Sequence, residues 1–254
     1  MTRRPPAVLL LATGAAVVVL ALPLAGLLAR APWSDAGRVL GSERTLEALR
    51  ISLLAASAAA IGATVLGVPL AWTIARSGLP GTRLLRTLAL IPLVLPPVVG
   101  GVALLAAFGR RGLIPTSLPF SFAGVVAAEL FVALPFVVVT VEAGLRQSDA
   151  RYEEVAEHLG ASRWAAFHTV TLPLVLPSIV AGAGLAWARA LGEFGATVTF
   201  AGTFPGRTET LPSAVYLALE SEPGAALLLS VLLLGISVLV LVLLRGRWLL
   251  RWHR

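Results

Sequence analysis

The sequence predicts an all-α, polytopic membrane protein with six transmembrane helices. Three observations carry that prediction. Hydrophobic residues make up 57% of the 254 residues and charged residues only 13%, where an average soluble domain carries about 25% charged residues. The apolar residues gather into six runs, each close to the roughly 20 residues an α-helix needs to cross about 30 Å of hydrocarbon. The remaining charges flank these runs and rarely interrupt them.

The first run is residues 7–29, without a charge. Arg3 and Arg4 precede it and "ARA" (29–31) follows, as in a cleaved signal segment, but the apolar stretch exceeds the 7–15 residues of such a segment. A retained span is expected. Residues 51–75 and 88–108 form the second and third runs, also uncharged. The fourth, 122–141, contains only Glu129; the fifth, 172–188, is followed by Arg189 and Glu193; the sixth is 225–244.

Orientation follows from the arginines, which supply all 20 basic residues and a net charge of +7. With the N-terminus inside, twelve lie in cytoplasmic segments, seven outside, and Arg189 within the membrane. That bias puts both termini in the cytoplasm. Because the arginines border apolar runs and do not share one face, they read as headgroup anchors and not as a nucleic-acid surface. The absence of cysteine excludes disulfides, thiolate metal sites and cysteine nucleophiles. The expected organisation is an N-terminal span and external loop (1–44), a transmembrane core (45–243) and a basic cytoplasmic tail (244–254).

Between the fourth and fifth runs lies "RYEEVAEHLGASRWAAFHTVTLPLVLPSI" (151–179). Ser148 or Asp149 can cap a helix whose first turns carry Glu153 and Glu154, where the helix dipole favours anions. Tyr152, Val155, Ala156 and Leu159 fall at i, i+3, i+4 and i+7, one apolar stripe. Gly160 ends this helix. Ser162 can cap a second short helix bearing Trp164 and Phe167, which Pro173 ends or bends into the next span. Such short helices are unstable alone in water, so their apolar faces need a surface. An interfacial helix on the bilayer usually presents a basic polar face; Glu153, Glu154 and Glu157 would be repelled by anionic lipid. A protein partner fits better.

The same residues resemble a motif of the permease subunits of bacterial binding-protein-dependent ABC importers: E-A-A, three residues, G, nine residues, I, any residue, L-P. Here it reads Glu154, Val155, Ala156, Gly160, Val170, Leu172 and Pro173, with two apolar replacements, Val155 and Val170. The resemblance implies a type I ABC importer permease fold. It also implies that this segment is a coupling helix docking on an ABC ATP-binding subunit through Glu154, Val155, Ala156, Leu159, Gly160, Ala161, Trp164 and Phe167. "GEFGAT" (192–197), "FAGTFPGRTETLP" (200–212), "IPLVLPPVVGG" (91–101) and "FVALPFVV" (131–138) are similar to the molybdate/tungstate branch, the first shared in part with sulfate permeases. Glu129 departs from that branch, where an uncharged polar residue is expected. The resemblance further implies a homodimer, an extracytoplasmic molybdate-binding protein as donor, location in the bacterial plasma membrane, and no cofactor on this chain, ATP and Mg residing in the partner ATPase.

Pro92, Pro96 and Pro97, beside Gly100 and Gly101, must kink the third span. The kink is either static packing or part of the translocation path, where broken helices commonly occur in transporters. Arg189 and Glu193 stand four residues apart and can pair, as a structural ion pair or as a gate. Thr197, Thr199 and Thr203 offer hydroxyls to the path or pack neutrally. Thr210 to Glu220 reads as a short external helix. His158, His168 and His253 are scattered, and no phosphate loop, His-Glu metal helix or nucleophile elbow appears. The chain is therefore not expected to be an enzyme, or to hydrolyse ATP itself. A polytopic channel or membrane enzyme would need a selectivity or catalytic constellation, and none is visible.

Overall fold

In the computed structural model, which describes residues 6–249 (side chains through 242), the described residues form twelve α-helices and no strands. In order these are α1 (Ala7–Arg30), α2 (Ala36–Leu40), α3 (Glu43–Arg76), α4 (Thr82–Val94), α5 (Pro97–Phe108), α6 (Phe122–Gln147), α7 (Arg151–His158), α8 (Arg163–Ala166), α9 (Leu172–Leu191), α10 (Gly195–Ala201), α11 (Leu211–Ser221) and α12 (Pro223–Leu249). Five helical stretches are long and apolar enough to cross a membrane: Ala7–Arg30, Glu43–Arg76, Phe122–Gln147, Arg163–Leu191 and Pro223–Val242.

The third span expected from sequence is broken in two. α4 ends at Val94, Leu95 and Pro96 are extended (ψ 131° and 132°), and α5 restarts at Pro97. Each proline forces its predecessor out of the helical region, and Pro97 tolerates only a first-turn position. Six runs thus become five long helices and one interrupted pair.

The fifth span departs in the other direction. No elbow forms at Pro173. A π-helical turn, Phe167–Thr171, fuses α8 to α9. Leu172 N–H donates to the Phe167 carbonyl, five residues back, and this wider turn accommodates a proline that would clash with a normal α-helical carbonyl.

α3, α6 and α9 make the centre. Their interfaces are built from small residues: Ala55, Ala56, Ala59 and Ala63 are fully buried, and Gly67 and Gly182 both lie against Val137. Without a hydrophobic drive between helices in lipid, close backbone approach and van der Waals contact hold such a core together. A second cluster joins α2, α11 and α12 through Val39, Leu211 and Leu228. The short helix foreseen at 210–220 is α11; Thr210 and Ser213 cap it reciprocally. α5 lies on α10 so tightly that a methyl on Gly101 would sit 2.6 Å from Thr199 Cβ. α1 buries none of its residues. Of the basic tail, residues 250–254 lie outside the described residues, as do Arg3 and Arg4.

Candidate docking and path sites

α7 and α8 project from one end of the bundle, where α6 finishes and α9 begins. Neither foreseen cap holds the N-cap position of α7, which Ala150 occupies with no side-chain cap bond: Asp149 Oδ1 accepts from Arg151 N–H (3.0 Å) one residue earlier, and Ser148 closes α6. Gly160, at φ +94°, ends α7 with paired bonds: its N–H donates to Glu157 O and the N–H of Ala161 to Ala156 O, both 3.0 Å. This reciprocal closure needs a left-handed residue, which glycine supplies without a side-chain clash. Ser162 Oγ then caps α8 at Ala165 N–H (3.2 Å).

The foreseen apolar stripe is left open. α7 buries none of its residues, and Tyr152, Val155, Leu159 and Trp164 are 60%, 57%, 83% and 71% exposed. Ala156 and Ala161 are half-buried, while Glu154 and Gly160 are exposed. Phe167 turns inward, edge-on to Trp72 of α3 (6.2 Å) and stacked on Trp164 (5.9 Å). His158 Nδ1 meets the Glu154 carbonyl of its own helix at 2.7 Å, and His168 packs on Trp164 (4.2 Å). A groove of about 430 Å³ lies between α3 and α8, lined by Pro69, Trp72, Thr73, Arg163, Trp164 and Phe167. No sequence pattern flagged Trp72, whose role comes from its place across the groove.

The residues singled out for the path meet at the other end of α9, a distance of about 30 Å for a helix of this length. The Arg189 guanidinium and Glu193 Oε2 pair at 2.5 Å, and Glu193 Oε1 accepts from Ala196 N–H at 2.7 Å, capping α10. Glu193 is buried, 1% exposed. Gly195 packs against Pro97, so the start of α5 abuts the start of α10. Pro96 is exposed beside this contact. Thr197 is buried and its hydroxyl donates to Phe194 O (2.8 Å); the Thr199 hydroxyl likewise donates to Gly195 O (2.8 Å). Both donors are thus engaged by their own backbone. Glu129 is buried on α6, with Oε2 lacking a hydrogen-bond partner.

Two further charge clusters escaped the sequence reading, each with a partner distant in the chain. Glu142, buried on α6, faces Arg86 of α4 (3.3 Å) and Arg146 (2.8 Å). Glu209, buried before α11, holds Arg44 at 2.9 Å.

Comparison with known proteins places this architecture. Residues 63–251 match the family model "Binding-protein-dependent transport system inner membrane component". The molybdenum transport system permease protein ModB of Mycobacterium tuberculosis is 46% identical over 235 residues, 90% of this chain and 89% of that protein. The molybdate/tungstate transport system permease protein WtpB of Thermococcus kodakarensis is 38% identical (84% and 81%). The sulfate transport system permease protein CysT of Escherichia coli is 35% identical (85% and 82%). In fold, the chain superposes on a bacterial ABC transporter involved in alginate import with a TM-score of 0.75 at 16% identity, covering 94% of this chain and 93% of that one. With a helical bundle of this fold, a family model spanning most of its length and relatives at these identities, the chain belongs to the binding-protein-dependent transport system inner membrane components, multi-pass permease proteins of ABC transporters.

Proposed function

We propose that this chain is the permease subunit of an ATP-driven importer of molybdate, with tungstate as an alternative cargo. Two copies form the pore, and each docks an ABC ATP-binding subunit on α7 and α8. The observation that carries the reading is the open apolar stripe of Tyr152, Val155 and Leu159 along α7, with exposed Trp164 beside it on α8, at the motif shared with importer permeases. The stripe accompanies an acidic helix that anionic lipid would repel, and a protein groove can cover it. The chain has no phosphate loop, so ATP and Mg act in the partner.

In this reading α7 and both termini face the cytoplasm, and the Arg189–Glu193 end faces the extracytoplasmic binding protein. Closure of the nucleotide subunits pushes α7. The rigid core of α3, α6 and α9 carries that motion to the junction of α5 and α10. Arg189, held by Glu193, contributes a positive group at the path without standing free as a tight oxyanion trap, which suits a conduit that must release its cargo. α1, none of whose residues is fully buried by the described chain, is left available to lipid or the second subunit.

Uptake of labelled molybdate by proteoliposomes holding the complete complex, with tungstate and sulfate as competitors, tests the reading. ATP-dependent uptake outcompeted by tungstate is expected. Uptake outcompeted by sulfate alone would favour the sulfate reading, which the similarity to the sulfate permease supports to a lesser degree. Absence of ATP-dependent uptake of any of the three would overturn the importer assignment.

A further inference from the structure

α7 is joined to the membrane core by very little. It is eight residues long, buries no side chain and ends at a glycine of positive φ. As a lever it would swing on its flanking turns unless something stiffened the joint.

Arg76, the last residue of α3, sits at that joint. Its Nη2 donates to the carbonyl oxygens of Leu145 (2.7 Å) and Ser148 (2.8 Å) and to Ser148 Oγ (2.8 Å). It therefore caps the final turn of α6, where unpaired carbonyls collect and a cation is favoured. On its other side, Nε lies 3.4 Å from Glu153 Oε1 on α7. Nε makes no hydrogen bond, so Glu153 is held by charge at close range. Both side chains are withdrawn from water, 14% and 19% exposed, where an ion pair is screened less than at the surface. Glu154, the next residue, is exposed. Adjacent glutamates thus divide: one turns to the chain's own core and the other away from it.

We infer that Arg76 and Glu153 form a latch that locks α7 to the ends of α3 and α6, and that these two are positioning residues for coupling. One guanidinium touches three helices. A push on α7 then reaches α3 and α6, which have no slack between them because Gly67 lies directly on Val137. Without the charge pair, the same push would be taken up by the turns at Ser148–Ala150 and at Gly160. The inference rests on the docking role proposed above, and its first test does not.

That test uses the full chain in nanodiscs. The protein has no cysteine, so spin labels on Ala143→Cys in α6 and Glu157→Cys in α7 report one distance within the chain when labelled chains are diluted into an excess of unlabelled ones. A single narrow distribution is expected, broadening at least twofold in Glu153→Gln, which leaves the Arg76 bonds to α6 in place. An unchanged width overturns the latch, whatever the ATPase does. The second test reconstitutes the complete transporter. Glu153→Gln is expected to retain its ATPase as the unmodified protein does while cargo moved per ATP falls at least fivefold, with Glu153→Asp recovering part of the ratio. A normal ratio overturns the inference. So does loss of the ATPase matching that of Glu154→Gln, which would make Glu153 a docking contact. If the unmodified chain fails to hold the ATPase through this segment, the docking proposal falls and the spin-label result still decides the latch.

Discussion

Leu159, the residue that closes α7, is 83% exposed beside a helix with no buried residue, so its side chain packs little against the chain itself. Leu159→Asp is therefore expected to leave the melting temperature of the isolated permease unchanged while reducing ATPase co-purification at least tenfold, a loss of about 1.4 kcal/mol or more. Arg189 and Glu193 behave oppositely, because their pairing is internal. Arg189→Leu strands a carboxylate that is 1% exposed, and breaking a buried pair from one side costs about 3–5 kcal/mol. The double variant Arg189→Leu, Glu193→Gln removes both charges and keeps an acceptor for Ala196 N–H. Thermal unfolding in detergent should show the single variant strongly destabilised and the double variant close to the unmodified protein. The pairing was legible from the four-residue spacing; the capping bond to Ala196 was not, since it depends on how the chain turns after Gly192.

Among the elements, α7, Gly160 and α8 were readable because their signals are local: a 3.6-residue stripe, a glycine stop and the Ser162 cap; the cap foreseen for α7 at Ser148 or Asp149 is replaced by Ala150. Gly160→Glu is expected to insert normally and to lose transport. A Cβ there meets no atom within 4 Å, so the first penalty is conformational, about 1–2 kcal/mol for a left-handed residue, and is expected to be relieved by tilting α8 away from α7. Membrane-fraction immunoblots with uptake assays check both halves; normal uptake at normal abundance would contradict the role of the turn. The third and fifth spans depart from the sequence reading in opposite senses: the kink expected in the third is a full break, and the end or elbow expected at Pro173 does not form. Prolines were visible in both, yet Pro96 with Pro97 separates two helices and Pro173 is absorbed into a continuous one. A π turn ahead of Pro173 decides the difference; Phe167, its first residue, packs edge-on to Trp72 of α3, a contact between residues far apart in the chain.

For the whole molecule, the proposed orientation makes a clean prediction because the chain lacks cysteine. Trp164→Cys should react with a membrane-impermeant thiol reagent only in inverted vesicles, and Gly206→Cys, in the exposed loop before α11, only in intact spheroplasts. The reverse pattern would place α7 outside and remove any access to a cytoplasmic ATPase.

The sequence alone determined the fold class, the apolar runs from which the long helices are built, and the amphipathic segment between the fourth and fifth of those runs. These follow from hydropathy and short-range periodicity, which act over a few turns of helix. Only the tertiary structure decided which charges meet: Arg76 with α6 and Glu153, Arg86 with Glu142, Arg44 with Glu209. In a low-dielectric interior a buried carboxylate is costly without a cation or a donor, and the one it meets is set by which helices lie side by side; Glu129 Oε2 meets neither among the described residues. That is a property of how the helices pack, and not of distance along the chain.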